Sequence, residues 1–600
     1  MSETKKLPAR SEVDPADTWD LASLYAGDDL WEAGLTELAG RQPKYADFRG
    51  AVAESPKRLA ALLAFDLDTD RLAERLGCYA SLRCAEDQAD SQSQRMLGRF
   101  QSAATKVSEA ASFLRPEVMA LSEEQAAAYL KAPALAEYRL LLERMLRDKP
   151  HTLSEKEEAL LAMQGEMAAT ASQAFRRLLD ADLTFGNIRN EAGDTVELTH
   201  SSYSELLRSP SREVRRTAFH QYFEGFTSHQ YTLAATLNGS NQRDIYYARA
   251  RNFSSAREAA LFADNVPLSV YDNLIATVRR HLPTVHRYLD VRRRKMNLHE
   301  LRFYDTYVPI QAELEKHHTW DQASDALLAA LEPLGSDYCG IMESGLKGRW
   351  CDRYPNKHKQ SGAFSYGTFD ADPYILMNFK PDVLDDVFTL AHEAGHSMHS
   401  HYSRSHQPYQ YSQYVIFVAE VASTFNEQLL SEYMMRQATD DAERAYFINR
   451  EIDGIRGTLV RQTMFAEFEK ISHELVESGE PLTVDALKDA YRKLLEDYFG
   501  PGVAIDDELA LECLRIPHFY RAFYVYKYAT GLSASIALAE RILKGGPQES
   551  EDYLGFLKGG CSKWPLELLR DAGVDMERPD AVDTALTRMD RLVGELEELL

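Results

Sequence analysis

Apolar residues recur at intervals of three and four along most of this 600-residue chain, and that spacing commits it to helices. Ala126, Tyr129 and Leu130 carry the pattern, as do Leu142, Met145 and Leu146, within a stretch (56–180) rich in Ala, Leu, Glu, Arg and Gln. The same periodicity runs from Leu206 to His299 and from Asp382 to the end of the sequence. Each helix of this kind carries an apolar stripe that must be buried against a neighbour. Six hundred residues exceed one ordinary core, so at least two lobes are expected. The polar, turn-rich stretch from Asn187 to Thr199 suggests a boundary, giving an N-terminal helical lobe over 1–200 and a second part over 201–600.

Two segments interrupt the helical period. Leu301–Ile310 mixes aromatic and β-branched residues and runs into Pro309, which suits a strand or extended segment. Ser361–Asp370 and Pro373–Phe379 read as two short strands around an Asp-Ala-Asp-Pro turn. The expected fold is therefore mostly α with one small sheet, and only the first fifteen or so residues are expected to be loose. Composition narrows the partners: 93 acidic against 68 basic side chains leave a net charge of −25, which repels nucleic acid and anionic lipid. Met1–Pro8 has two lysines with no apolar stretch behind them, unlike a secretory leader. The longest apolar run, Leu59–Phe65, is far short of the ~20 residues of a membrane span. Six cysteines without a Cys-x-x-Cys pair suit reduced thiols in the cytoplasm and argue against a cysteine-based zinc site.

The chemistry concentrates in His392-Glu393-Ala394-Gly395-His396. Lys380-Pro381-Asp382 reads as a helix start, and Val383, Val387, Leu390, Ala391 and Ala394 supply an apolar face behind it. Histidines four apart on a helix project from one side, so both imidazoles can reach one zinc ion. Glu393 then stands beside the water that the metal activates and can take its proton as it attacks a carbonyl. The plainer alternative is a solvated helical face with two histidines, and a third ligand decides between them. A metzincin arrangement would need glycine and histidine three and six residues after His396, where this chain has His399 and Tyr402. A glutamate on a following helix fits better. Between Tyr414 and Glu432, residues Val418, Val421, Ala422, Phe425 and Leu429 form an apolar face, while Glu420, Ser423, Thr424 and Glu427 form another. An unpaired Glu420 among Val418, Ala419, Val421 and Ala422 would be costly to bury, and a metal accounts for it. Glu427 is then expected to bond a ligand imidazole. His399, His401 and His406 read as surface or supporting residues.

The strings His392-Glu-Ala-Gly-His-Ser-Met-His-Ser-His-Tyr-Ser403, Gln407-Pro-Tyr-Gln-Tyr411 and Ile416-Phe-Val-Ala-Glu-Val-Ala-Ser-Thr-Phe-Asn-Glu427 resemble the oligoendopeptidase F family, a branch of the thimet oligopeptidase-like zinc metallopeptidases. The likeness extends to Trp19–Tyr25, to Gly362-Ala-Phe-Ser365, to Ile516–Gly531 and to Ala572–Met576, almost the whole chain. It implies a helical, two-lobed clam with zinc on the floor of a deep channel. It also implies one zinc per chain on His392, His396 and Glu420, with Glu393 as general base. By the same resemblance His518 matches a histidine, and Tyr528 a tyrosine, that bind substrate and stabilise the transition state. The interval between them is slightly shorter in this chain, which leaves the second tyrosine as Tyr520 or Tyr524, with Tyr520 taken first. Tyrosines at fourfold spacing (Tyr520, Tyr524, Tyr528) would equally pack a core. Gly362–Ser365 is a small-residue strand that could take a peptide as an added edge strand, though its glycine could equally mark a bulge. The expectation is a cytoplasmic zinc endopeptidase acting on short oligopeptides. Its rivals are a metallocarboxypeptidase of the same helical build and a helical binding scaffold with a vestigial motif.

Overall fold

The computed structural model describes residues 6–600 apart from 312, 313 and 315, so the first residues of the Met1–Pro8 segment lie outside the described residues. Helices dominate, as the periodicity requires. The chain forms two compact units, each sewn from three separated stretches.

The first unit takes residues 1–150, 315–433 and 538–573. Its long helix Pro56–Glu86 begins at Ser55, whose side chain accepts the Arg58 N–H, with proline at the first position where no helical bond is lost. Leu59, Leu62 and Leu76 of that helix are buried with Trp31 and Leu38 of helix Asp28–Arg41. Each such side chain contributes about 1.5–3 kcal/mol when fully buried. Gly77 permits the crossing with helix Ser91–Ala111, since a Cβ there would stand 2.6 Å from the Phe100 ring. The N-terminal stretch expected to be loose is docked from Pro8 onward. Arg10 pairs with the buried Asp352, the Lys357 N–H donates to the Pro8 carbonyl at 2.9 Å, and Trp19 packs edge-on to Tyr374.

A three-stranded sheet belongs to this unit. Tyr374–Leu376 lies in its centre, parallel to Cys351–Asp352 on one side and antiparallel to Phe364–Tyr366 on the other, with Ser365 opposite Ile375. Phe364–Tyr366 is thus an edge strand.

The second unit takes residues 151–314, 434–537 and 574–600. Its spine is helix Arg212–Ala250, which buries Phe219, Phe223, Phe226, Leu233 and Leu237 along one stripe. The polar stretch near 190 is a hairpin of Asn187–Arg189 and Thr195–Glu197, so compactness groups the chain differently from a split at 200. Leu301–Arg302 pairs with Val503–Ala504, and the rest of the expected extended segment turns at once into a 3-10 turn, Phe303–Asp305. Three small sheets, where one was expected, are present among the described residues, because strands of two or three residues leave no twofold pattern to read. Among the described residues no helix is long and apolar enough to cross a membrane.

Candidate metal centre

The His-Glu-x-x-His motif lies on helix Leu384–His406 in the first unit. The helix starts at Leu384 and not at Lys380: Lys380–Val383 form a turn, held by the Lys380 N–H donating to Asp386 Oδ2 at 2.7 Å. Asp385 and Asp386 then sit in the first turn, at the positive end of the helix dipole. Val387, Leu390, Ala391, Ala394 and Met398 are buried and fix the helix, which turns His392 and His396 to one side. Their rings lie 4.9 Å apart and nearly perpendicular.

Helix Ile416–Gln437 crosses this face. Gly395 makes the crossing possible, since a Cβ on it would meet the Ala422 carbonyl oxygen at 2.5 Å and Ser423 Cα at 2.6 Å. Buried Asn426 ties the helices, donating to the Ala391 carbonyl at 3.2 Å and accepting from Tyr338 at 3.3 Å. Glu420 is thereby brought to the histidines: its Oε2 lies 3.3 Å from His392 Nε2 and 3.5 Å from His396 Nε2. The three ligand atoms lie within 4.8 Å of one another. Glu420 keeps 36% of its side chain exposed and so is not the buried carboxylate expected from its apolar neighbours. Glu427 Oε1 accepts from His392 Nδ1 at 2.7 Å, which directs His392 Nε2 toward Glu420.

Electrostatics follow from this crowding. Burial opposes charge on His392, but bonds to Glu420 and Glu427 outweigh it and raise the imidazole to about 10. The same histidines hold Glu420 well below the ordinary carboxylate range. Glu393 points elsewhere. It is buried, which raises its pKa, and the Ser365 backbone N–H of the edge strand bonds its carboxylate. The Ser365 and Ser397 hydroxyls, 2.8 Å apart, join that strand to the motif helix again. Of the other histidines, His399 is buried and stacked on Tyr414 at 3.7 Å, with burial lowering its pKa to about 3. His406 Nδ1 bonds the Tyr402 carbonyl, and His401 lies beside Arg404.

The expected substrate residues belong to the second unit. Segment 516–531 is not one helix: a 3-10 turn Pro517–Tyr520 is followed by a left-handed Phe523 and then by helix Tyr526–Lys544. Fourfold spacing therefore does not put the three tyrosines on one face. His518, Tyr524 and Tyr528 cluster, with Tyr528 Oη 3.4 Å from His518 Nε2 and the Tyr524 ring 5.3 Å from that of Tyr528. Burial, then Arg176 and Arg521, lower the basicity of His518. Tyr520 stands apart. It is buried, stacks on Phe175 at 4.1 Å, and spends its hydroxyl on Thr236 Oγ1 at 2.7 Å, the arrangement of a packing residue. Sequence reasoning missed Gly395 and Asn426; the only signal was an asparagine set beside Phe425 on an otherwise apolar stripe.

A helical scaffold carrying His-Glu-x-x-His, with a glutamate from the next helix beside it, defines the metallopeptidase class of donor set. The profile of Peptidase family M3 matches residues 205–588 and that of Oligopeptidase F matches residues 117–185. The chain belongs to peptidase family M3. It is 41% identical to oligopeptidase PepF of Bacillus subtilis, over 100% of this chain and 90% of that one. Among solved structures it is similar to the oligoendopeptidase-F of Enterococcus faecium, at 35% identity and a TM-score of 0.72 over 95% of this chain and 99% of that one. It is also similar to a chain from Chlamydophila abortus classed as a peptidase, at 36% identity and a TM-score of 0.95, covering 99% and 100%.

Proposed function

We propose that the chain is a zinc-dependent endopeptidase that hydrolyses internal bonds of short oligopeptides. The observation that carries the reading is the convergence of His392 Nε2, His396 Nε2 and Glu420 Oε2 at 3.3 and 3.5 Å beside a glutamate that joins none of them. Ligand bonds of about 2.0–2.1 Å at a tetrahedral angle set neighbouring ligand atoms about 3.3 Å apart, so the donor set fits zinc in spacing as well as in chemistry. Glu427 supports it by holding His392 in the tautomer that leaves Nε2 free to ligate. The substrate class is supported by family membership and by the names of the relatives, oligopeptidase and oligoendopeptidase. Six unpaired thiols support a reducing compartment, the cytoplasm.

Zinc, when bound, supplies Lewis-acid polarisation of the scissile carbonyl and makes a water acidic. Glu393 accepts the proton of the attacking water and returns it to the leaving amine. The Ser365 N–H keeps its carboxylate aimed past the ligands. Phe364–Tyr366, at the edge of its sheet, offers backbone groups to an extended peptide next to that base. His518 and Tyr528 donate hydrogen bonds to the developing oxyanion, a role that rests on the likeness of segment 516–531 to the family. Elemental analysis and a digested peptide library test the whole. One zinc per chain, loss of activity with chelator and internal cleavage are expected. A metal-free active protein would overturn the zinc, and a one-residue product ladder would identify a carboxypeptidase.

A further inference from the structure

The segment that carries His518 and Tyr528 reverses at Phe523, whose φ of +54° lies in the left-handed region. For a bulky side chain that conformation is strained, and it persists only where the surroundings fix it. Phe523 is buried, its ring 4.6 Å from that of His473 and edge-on to Tyr271 at 5.8 Å. Those contacts hold the side chain. The peptide unit is held by Glu469, on helix Arg461–Glu477 of the same unit, whose Oε1 accepts the Phe523 N–H at 3.0 Å.

Glu469 is a costly acceptor for that bond. It is buried, its Oε2 has no hydrogen-bond partner, and the charge that reaches it, Asp244, has its own sign. The neighbouring imidazole, His473, turns Nδ1 to the Glu469 backbone carbonyl at 2.8 Å and leaves the carboxyl alone. A core that needed only filling would hold leucine here, since a carboxyl without a cation is expensive to bury. Two other bonds anchor the segment on either side of the reversal. Arg243 Nη2 donates to the Tyr520 carbonyl at 3.2 Å, and Lys527 Nζ donates to Asp264 Oδ2 at 2.6 Å. Of the three anchors, the Glu469 bond alone acts at the strained peptide. That peptide joins the two halves of the aromatic cluster: His518 comes before it, Tyr524 and Tyr528 after it. The His518 and Tyr524 rings lie parallel 6.2 Å apart, and each stands nearly perpendicular to Tyr528, at 5.9 and 5.3 Å.

We propose that Glu469 is a positioning residue for the hydrolysis: by holding the Phe523 peptide left-handed it keeps His518 in register with Tyr528, the pair that meets the developing oxyanion. It touches no substrate and acts through the backbone of another residue. Strain of this kind gathers where a fold must fix a group for chemistry, and the carboxyl buried against it is the second expense at the same peptide. That the segment acts on substrate rests on the proposed function; that Glu469 locks it rests on the geometry of the second unit alone.

Steady-state cleavage of one quenched peptide by the full, zinc-loaded chain tests it. Glu469→Leu nearly keeps the volume and removes the acceptor. It should lower kcat roughly a hundredfold, the cost of an ångström-scale misplacement, with KM changed by less than about threefold. Glu469→Gln keeps an acceptor oxygen at the same reach and should retain wild-type kcat. Added to Tyr528→Phe, Glu469→Leu should cost less than about tenfold more, because the pair it aligns is already broken. A full hundredfold loss in that background would mean general damage and would overturn the proposal. Wild-type kcat in Glu469→Leu beside a large loss in Tyr528→Phe overturns it too, and leaves the proposed function standing. Wild-type kcat in both Tyr528→Phe and His518→Ala ends the oxyanion role of the segment, and the positioning role falls with it. Hydrogen exchange resolved at Phe523 reads the lock without cleavage. This amide should be protected in the wild type and in Glu469→Gln, and should exchange at least about tenfold faster in Glu469→Leu. Fast exchange at Phe523 in the wild type would overturn the proposal even if Glu469→Leu failed to fold.

Discussion

Gly395→Ala is the substitution that tests most directly how the metal centre is assembled. The added methyl would stand 2.5 Å from the Ala422 carbonyl oxygen and 2.6 Å from Ser423 Cα, about 1 Å inside ordinary contact, and both obstacles are backbone. No side chain can swing aside, so helix Ile416–Gln437 must move or the motif helix must bend. Overpacking of this kind costs about 1–3 kcal/mol, offset by the roughly 0.5–1 kcal/mol that alanine gains over glycine inside a helix. Glu420 lies one turn from Ser423 on the displaced helix. A 1 Å retreat would open its 3.3 and 3.5 Å separations from the histidines beyond what one ion can bridge. Binding zinc must then pull the helices back against the strain, so affinity should fall by roughly five- to 150-fold, the equivalent of about 1–3 kcal/mol. Competition against a chromophoric chelator measures that affinity, and melting with and without zinc separates strain in the fold from strain in the site. Gly340→Ala is the control: it lies inside helix Ser336–Lys347, where a Cβ meets nothing within 4 Å, and should stabilise slightly with no effect on zinc. A Gly395→Ala protein with wild-type zinc affinity would refute the reasoning, whatever its melting temperature.

Glu393→Gln should keep fold and zinc while kcat falls by several orders of magnitude; a variant retaining a tenth of wild-type activity would remove Glu393 as the base. Glu427→Ala, which takes away the partner of His392 Nδ1, should cost about 10–100-fold in metal affinity, and an unchanged affinity would show that the tautomer is set by something else. Tyr528→Phe should lower kcat by about 10²–10³ with little change in KM, whereas Tyr520→Phe should act on stability alone, having lost only its bond to Thr236; comparable kinetic losses in both would reverse these roles. Glu469 is fully buried and its pKa is pushed well above the usual value, chiefly by burial, against the opposing bond from the Phe523 N–H. The folded chain therefore holds that proton more tightly than the unfolded one, so stability is lost as pH rises from the ordinary glutamate value through the folded one. Glu469→Gln should melt above wild type at pH 8 with the gap closing toward pH 4, and parallel curves would contradict this.

The candidate metal centre was legible because its information is local. Histidines four apart meet on any helix, and the Glu420–Glu427 face could be read from spacing within a second helix. Glu427 on His392 follows from the same spacing and is present at 2.7 Å. Gly395 was not legible, because what it avoids lies on a helix nearly thirty residues away. Regular spacing misled at Tyr520: the intervals 520, 524 and 528 look helical, but Phe523 in a left-handed conformation breaks the path between them. The extra sheets escaped because strands this short carry too few residues to alternate. The polar stretch that suggested a boundary near 200 forms a hairpin, Asn187–Arg189 with Thr195–Glu197, since a polar hairpin and a polar linker have the same composition.

The threefold stitching of each unit has a consequence for biosynthesis. The N-terminal 150 residues share their buried cluster with Ala371, Tyr374 and Leu376, and the same unit is closed by Leu538–Gly573. During translation at about 5–20 residues per second, the roughly 420 residues between Pro150 and Gly573 take about 20–85 s to appear. Leu59, Leu62 and Leu76 of helix Pro56–Glu86 find Trp31 and Leu38 within those first 150 residues, but the part of the cluster that meets Ala371, Tyr374 and Leu376 waits for a later stretch. Expression of the first 150 residues alone should therefore yield a fragment that keeps most of its buried cluster but exposes the apolar side chains that Ala371, Tyr374 and Leu376 cover in the full chain.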